Sequence, residues 1–420
     1  MTIRPLLSLL VLSSVAACGS SSSSSSGGSS STSPPSPDGG GGGDDGGTSS
    51  GTSLPPPAPG HGIQLTMETT IAASTEDERC KFVQTTEDLW VNSEEVRYTP
   101  GSHHFLLYHT PYTSIPTVDN QGNTIDTSGV FDCPDGGPGA YFNVDRGLGG
   151  AQSPDAPPVI GGLPSDVAVH IPSGSVLALD LHVLNASSKP LDVTVTMNLN
   201  TIPQSQAKIE AGVYFFYNPF IRVPAGAKSQ ARMSCPITSN VNIVNAQSHM
   251  HKQGLGGVAN LEDGSGNVQQ QIYASQSWTD PPVKIWSPGM AVGAPQQIDF
   301  LCNYDNPGTT DVIQGLSAAK NEMCVLAGAY YPRDTNFENC TNPTYIGTGT
   351  ANGATTLQCM SSASPSAANF DDVYFGCVVD SCPQIAKPLT ALVTCELQNG
   401  ASSGTACVTQ YTALQQAACQ

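Results

Sequence analysis

The 420-residue chain has only eight histidines, and they are grouped rather than scattered. His103 and His104 are adjacent with His109 close behind, His182 ends the segment 177–182, and His249 and His251 flank Met250. Residues i and i+2 of a strand project to one face, so His249 and His251 present two imidazoles together. Paired imidazoles suit copper, zinc or iron, although an isolated His-x-His is more often a solvent-facing pair on an edge strand. His103 and His104 would face opposite ways on a regular strand, and both could reach one ion only from a bulge or a strand end. His182 shares a face with Asp180, opposite Leu177, Leu179 and Leu181. A histidine above a core strand is more often structural than a ligand.

The elements that must position these residues read as strands. Leu191, Val193, Val195, Met197 and Leu199 alternate with Asp192, Thr194, Thr196, Asn198 and Asn200, which places one face on a core and one in water. Similar patterns run through 175–185, 241–251 and 322–331. Gly, Pro and Asn clusters separate them, and no long helical pattern precedes residue 370. The expected fold is all-β: two antiparallel, jelly-roll-like sandwiches in tandem, at 61–202 and 203–340, joined near 201–211. A Cys-rich tail follows at 341–420. Within it Cys407, Tyr411, Leu414 and Ala418 fall at helical spacing, so a small, partly helical, disulfide-stapled unit is expected.

The first eighteen residues read as a processing signal, with Arg4, an apolar run over 6–15 and the box Val15-Ala16-Ala17-Cys18. A cysteine at that place is the pattern of an acylated bacterial lipoprotein, so Cys18 is the expected lipidation site. Gly19 lacks the Asp that holds some lipoproteins in the inner membrane, which leans toward the outer one. The apolar run is too short to span a bilayer. Residues 19–60 are mostly Ser, Gly and Pro and cannot offset their ordering entropy by burial, so a flexible tether is expected, reaching roughly 35 Å. The formal charge of −19, from 34 acidic and 15 basic residues, excludes a nucleic-acid reader. Of thirteen cysteines, twelve remain after Cys18; in an oxidising compartment that reads as six disulfides, each contributing about 2–4 kcal/mol.

The order of the motifs is more telling than any one of them. A His-His pair, a lone His, a His-x-His and then Asn321-Glu322-Met323-Cys324 resembles the copper type II, ascorbate-dependent monooxygenases, the peptidylglycine α-hydroxylating and dopamine β-monooxygenase family. The resemblance covers roughly residues 63–340 and implies two coppers per chain. His103, His104 and His182 would hold the first. His249, His251 and Met323 would hold the second, the catalytic copper, where dioxygen is bound. It also implies the disulfides Cys80–Cys133, Cys235–Cys340 and Cys302–Cys324, and leaves open how Cys359, Cys377, Cys382, Cys395, Cys407 and Cys419 pair. The implied sites are unequal: three imidazoles can cycle between Cu(II) and Cu(I), whereas a soft thioether favours Cu(I). Met323 could instead fill a core gap, but it alternates with Cys324, which would turn toward its disulfide.

Several positions depart from the family pattern. The peptide-amidating member has an Arg two residues before its His-x-His, and Asn and Tyr two and four residues after its ligand Met; here these are Gln247, Val325 and Ala327. Such a pocket lacks the cationic clamp a carboxylate needs, so glycine-extended peptides are not expected to be amidated, and a neutral substrate is. Asp180 stands where that member has Gln, and is either a group tuning the first copper through His182 or a bound water, or a solvated strand residue. His109 is placed near the first copper, His170 in a turn and His61 in solvent. The expected function is copper-dependent hydroxylation of a C–H bond in a small, neutral organic molecule, using O2 and a one-electron donor such as ascorbate. The alternative is a lipoprotein that binds or buffers copper without turnover.

Overall fold

The computed structural model describes residues 54–420 except 121, 134–136, 154–155, 316, 339, 341–343, 364–369, 400–402 and 420. The signal segment, Cys18 and most of the tether lie outside the described residues. The end of the tether does not: the carbonyls of Leu54 and Pro55 accept bonds from Gln64 Nε2 and Asn198 Nδ2, both 2.9 Å, so 54–58 runs along the first sheet.

Among the described residues, nine strands belong to the first half: β1 (Gly62–Ile71), β2 (Thr75–Gln84), β3 (Leu89–Tyr98), β4 (Ser102–His109), β5 (Val130–Asp132), β6 (Arg146–Ala151), β7 (Val167–Ile171), β8 (Val176–Asn185) and β9 (Leu191–Thr201). The second half contributes β10 (Ile209–Tyr217), β11 (Arg222–Val223), β12 (Ala227–Pro236), β13 (Val241–His249), β14 (Gly254–Glu262), β15 (Val268–Ala274), β16 (Lys284–Val292), β17 (Gln297–Asn306), β18 (Val312–Ile313), β19 (Val325–Tyr331) and β20 (Thr344–Ile346). The fold is all-β with a helical Cys-rich tail.

One eight-stranded sheet, in the order β1-β9-β3-β7-β10-β19-β13-β16, runs through both halves. Its two sides meet where β7 and β10 pair in parallel, Val167 opposite Ile209. A five-stranded sheet, β5-β2-β8-β4-β6, covers the first half of it, and β15-β14-β17-β12-β20 covers the second. The alternating apolar residues of β9 meet Leu177, Leu179 and Leu181 of β8 in the first core. The opposite face of β9 is not simply solvated: Thr196 and Asn198 are buried, Asn198 beneath Pro55. β8 is buried on both sides as well, because Val176 and Ala178 join Phe82, Phe131 and Phe142 in a separate cluster on its outer face.

Six disulfides close the chain. The three implied by the resemblance form, and the tail is stapled by Cys359–Cys377, Cys382–Cys419 and Cys395–Cys407. They indicate an oxidising, exported setting, and no described helix is long and apolar enough to cross a membrane. The tail is no appendage. β20 pairs with β12, and Leu357, Leu389, Leu392 and Leu414 share the core of the second half. His170 lies within β7 rather than in a turn, stacked on Trp90 with ring centroids 4.1 Å apart.

Candidate metal centre

β4 carries one residue more than β8 between the pairs Ser102–Val183 and His104–His182. This bulge brings His103 to the side of His104, and their ring centroids are 5.1 Å apart. His104, His182 and Glu78 form one row across β4, β8 and β2. His182 lies 5.1 Å from the His104 ring and 5.3 Å from the His103 ring.

From the second half, His249 ends β13 and His251 lies just beyond it. The strand expected over 241–251 stops at His249 because the next turn is tied elsewhere: the Glu322 carboxylate accepts the N–H of His251 at 3.0 Å and that of Gln253. β19 likewise begins at Val325, so Glu322 and Met323 precede it. The two rings still face one another as i, i+2 spacing predicts, with Nε2 atoms 3.2 Å apart.

Both tautomers are fixed from behind. His251 Nδ1 lies 3.2 Å from the Asn321 carbonyl, which can only accept, so Nδ1 carries the proton. His249 Nδ1 donates to Gln152 Oε1, 2.6 Å away in the first half. Each Nε2 therefore presents a lone pair, and two lone pairs at this separation repel unless a cation or proton lies between them. Two nitrogens bound about 2.0–2.1 Å from one ion would stand at a similar spacing.

The rings expected to form two separate sites are instead one contiguous cluster. His103 is 5.3 Å and His104 5.1 Å from His249, and His103 is 6.0 Å from His251. One nitrogen from each of His103, His104 and His249 falls within a mutual 4.8 Å, a trio drawn from both halves. His182 has its Nε2 held by Glu76 Oε1 at 2.9 Å. Met323 is partly exposed and stands outside the packed core; its carbonyl accepts the Tyr304 hydroxyl at 2.9 Å. It follows two residues after Asn321, the group that orients His251. Met250, between the two histidines, is the buried core methionine.

The cluster is electrostatically suited to a metal. Burial, then repulsion from His182 and His251, holds His103 down to about 3. Burial, then His182, holds His251 down to about 4. Burial and neighbouring rings keep His104 and His249 well below the imidazole range. All four are neutral at neutral pH, the form that binds metal. His103 Nε2 and His104 Nδ1 are buried with no hydrogen-bond partner, so the residues fit an ion supplying what the protein leaves unmet. Burial also pushes Glu322 up to about 7 against the N–H groups it accepts.

Four contributors had no local signal in the sequence. Glu76 and Gln152 reach the rings through long-range pairing, and Asn321 acts through its backbone. Trp278 packs edge-on to His103 at 5.7 Å. Gln247, on the His249 face of β13, is buried with both amide atoms unpartnered. His109 belongs elsewhere: it lies at the far end of β4, paired with Asp145 at 2.8 Å. His61 is exposed. Asp180 is buried rather than solvated, and burial beside Glu78 pushes it well above the usual carboxylate range. No protein-family model and no curated protein matches this chain.

Proposed function

We propose that this chain is a copper-dependent monooxygenase that hydroxylates a C–H bond of a small, neutral organic molecule, with O2 and a one-electron donor such as ascorbate. The observation that supports it most is the pair of opposed lone pairs on His249 and His251, set in a buried cluster with His103 and His104. Copper held there would supply one-electron cycling and dioxygen activation. The chain's own residues do the rest. Gln152 and the Asn321 carbonyl orient the His249 and His251 rings, Glu76 orients His182, and Met323 is the proposed soft ligand to the copper held by His249 and His251. Burial of four rings, with Trp278 over His103, excludes water. The unpartnered amide of Gln247 offers a donor and an acceptor but no charge, which fits a neutral substrate.

The proposed setting is a lipid anchor at Cys18 in a bacterial membrane, with the outer one favoured. Oxygen uptake by the copper-loaded full chain, with ascorbate and a panel of phenylalkylamines and alkanes, tests the reading. Uptake that rises with one substrate class is expected; two coppers per chain with no substrate-coupled uptake would leave a copper-binding protein. That second reading has one observation in its favour: His103, His104 and His249 gather from both halves into a single buried trio. Copper held and not turned over is its signature.

A further inference from the structure

Behind the imidazole cluster lies a second group of ligating atoms. One oxygen each from Glu78 and Asp180 and one nitrogen of His104 fall within a mutual 4.8 Å. The register explains why. Glu78 and His104 both stand opposite His182, and Asp180 is two residues before it, so all three share one face of the sheet. Asp180 is only 3% exposed, and its Oδ1 has no hydrogen-bond partner.

The space over the carboxylates is kept open by Gly137. A Cβ there would come 2.7 Å from Asp180 Oδ2 and 3.2 Å from Glu78 Oε1, and its φ of +59° is one that glycine adopts freely. Two carboxylates brought together in a protein interior need a proton or a cation between them. Two carboxylates with one imidazole form a donor set for a divalent cation such as manganese or zinc, harder than the all-nitrogen cluster beside it.

We propose that Glu78, Asp180 and His104 bind a divalent cation back to back with the histidine cluster, sharing His104 with it; with both ions bound, His104 bridges them as the imidazolate, its remaining ring N–H proton released to solvent. The site goes beyond the oxygenase reading and does not require turnover. Cobalt(II), visible by its d–d absorption, is the probe. The full chain is first loaded with copper(I), which is spectroscopically silent, under anaerobic conditions. Uptake of one cobalt per chain is expected, lost in both Glu78→Gln and Asp180→Asn, while copper(I) is still taken up by both.

No cobalt uptake by the copper(I)-loaded chain, or cobalt binding that survives both substitutions, overturns the site and leaves the carboxylates sharing a proton. Should the chain take no copper at all, the oxygenase reading fails separately, and the same cobalt criterion applies to the metal-free protein. Near-UV circular dichroism checks folding; if Asp180→Asn does not fold, the half-buried Glu78→Gln decides.

Discussion

His249 and His251 are held by different kinds of acceptor, and substitution should separate them. The backbone carbonyl of Asn321 keeps its grip on His251 whatever side chain is present. The Gln152 amide is the acceptor for His249, and it comes from the other half of the chain. Gln152→Ala should therefore weaken copper(I) binding about 10–100-fold, the usual effect of losing such an outer partner, with the fold intact. Titration against a copper(I) chelator measures it, and an unchanged affinity would remove the orienting role. At this scale much was legible: the facing of His249 and His251 follows from spacing, and the His-His pair required the bulge that β4 contains. Gln152 was not legible, because nothing near residue 152 marks it as a partner of a residue almost a hundred positions away.

Two carboxylates control how the elements around the cluster are held. Glu94 on β3 accepts the N–H of Gly150 at 3.1 Å and of Ile160 at 2.8 Å, tying both ends of the loop that carries Gln152. Burial pushes its pKa from 4.5 up to about 8 against those bonds. Between these values the unfolded chain has lost the proton and the folded chain has kept it, so this contribution to stability falls as pH rises. Glu94→Gln keeps an acceptor for both N–H groups and removes the ionisation. It should flatten the decline between pH 5 and 8 and exceed the parent at pH 8, as read by denaturant unfolding; parallel pH profiles would rule this out.

Glu76 on β2 joins the halves differently. Its carboxylate accepts from His182, from the Ser317 hydroxyl at 2.8 Å and from the Ala318 N–H. Burial opposes its ionisation, but these bonds outweigh it and bring it down to about 2. Glu76→Ala leaves buried donors unmet and should cost about 1–3 kcal/mol in unfolding free energy; a loss below about 0.5 kcal/mol, the size of an ordinary surface change, would show the contact to be incidental. Strand periodicity located most of these elements. It could not show that the two ligand sets merge, since that depends on β7 pairing with β10 and on loops meeting across the join.

At the scale of the whole molecule, one sheet shared by two sandwiches makes the centre a property of their assembly. The tail belongs to that assembly. Ile385 and Leu389, both fully buried, pack into the core of the second half together with Phe300 and Tyr304. A chain ending at residue 346 should therefore expose this surface and fail to give a stable fold. Soluble, cooperatively unfolding truncated protein would contradict the tail's structural role. The twelve cysteines beyond Cys18 announced the staples, but six tail cysteines allow fifteen pairings, and only the folded arrangement selects among them. Whether rings from both halves gather around copper to oxygenate a substrate is tested by isotope labelling. Copper-loaded protein is supplied with ascorbate, the substrate class that stimulates oxygen uptake, and 18O2. One labelled oxygen atom is expected in each product molecule, and none when His249→Ala replaces the parent. Product without label, or label that persists without His249, would contradict it.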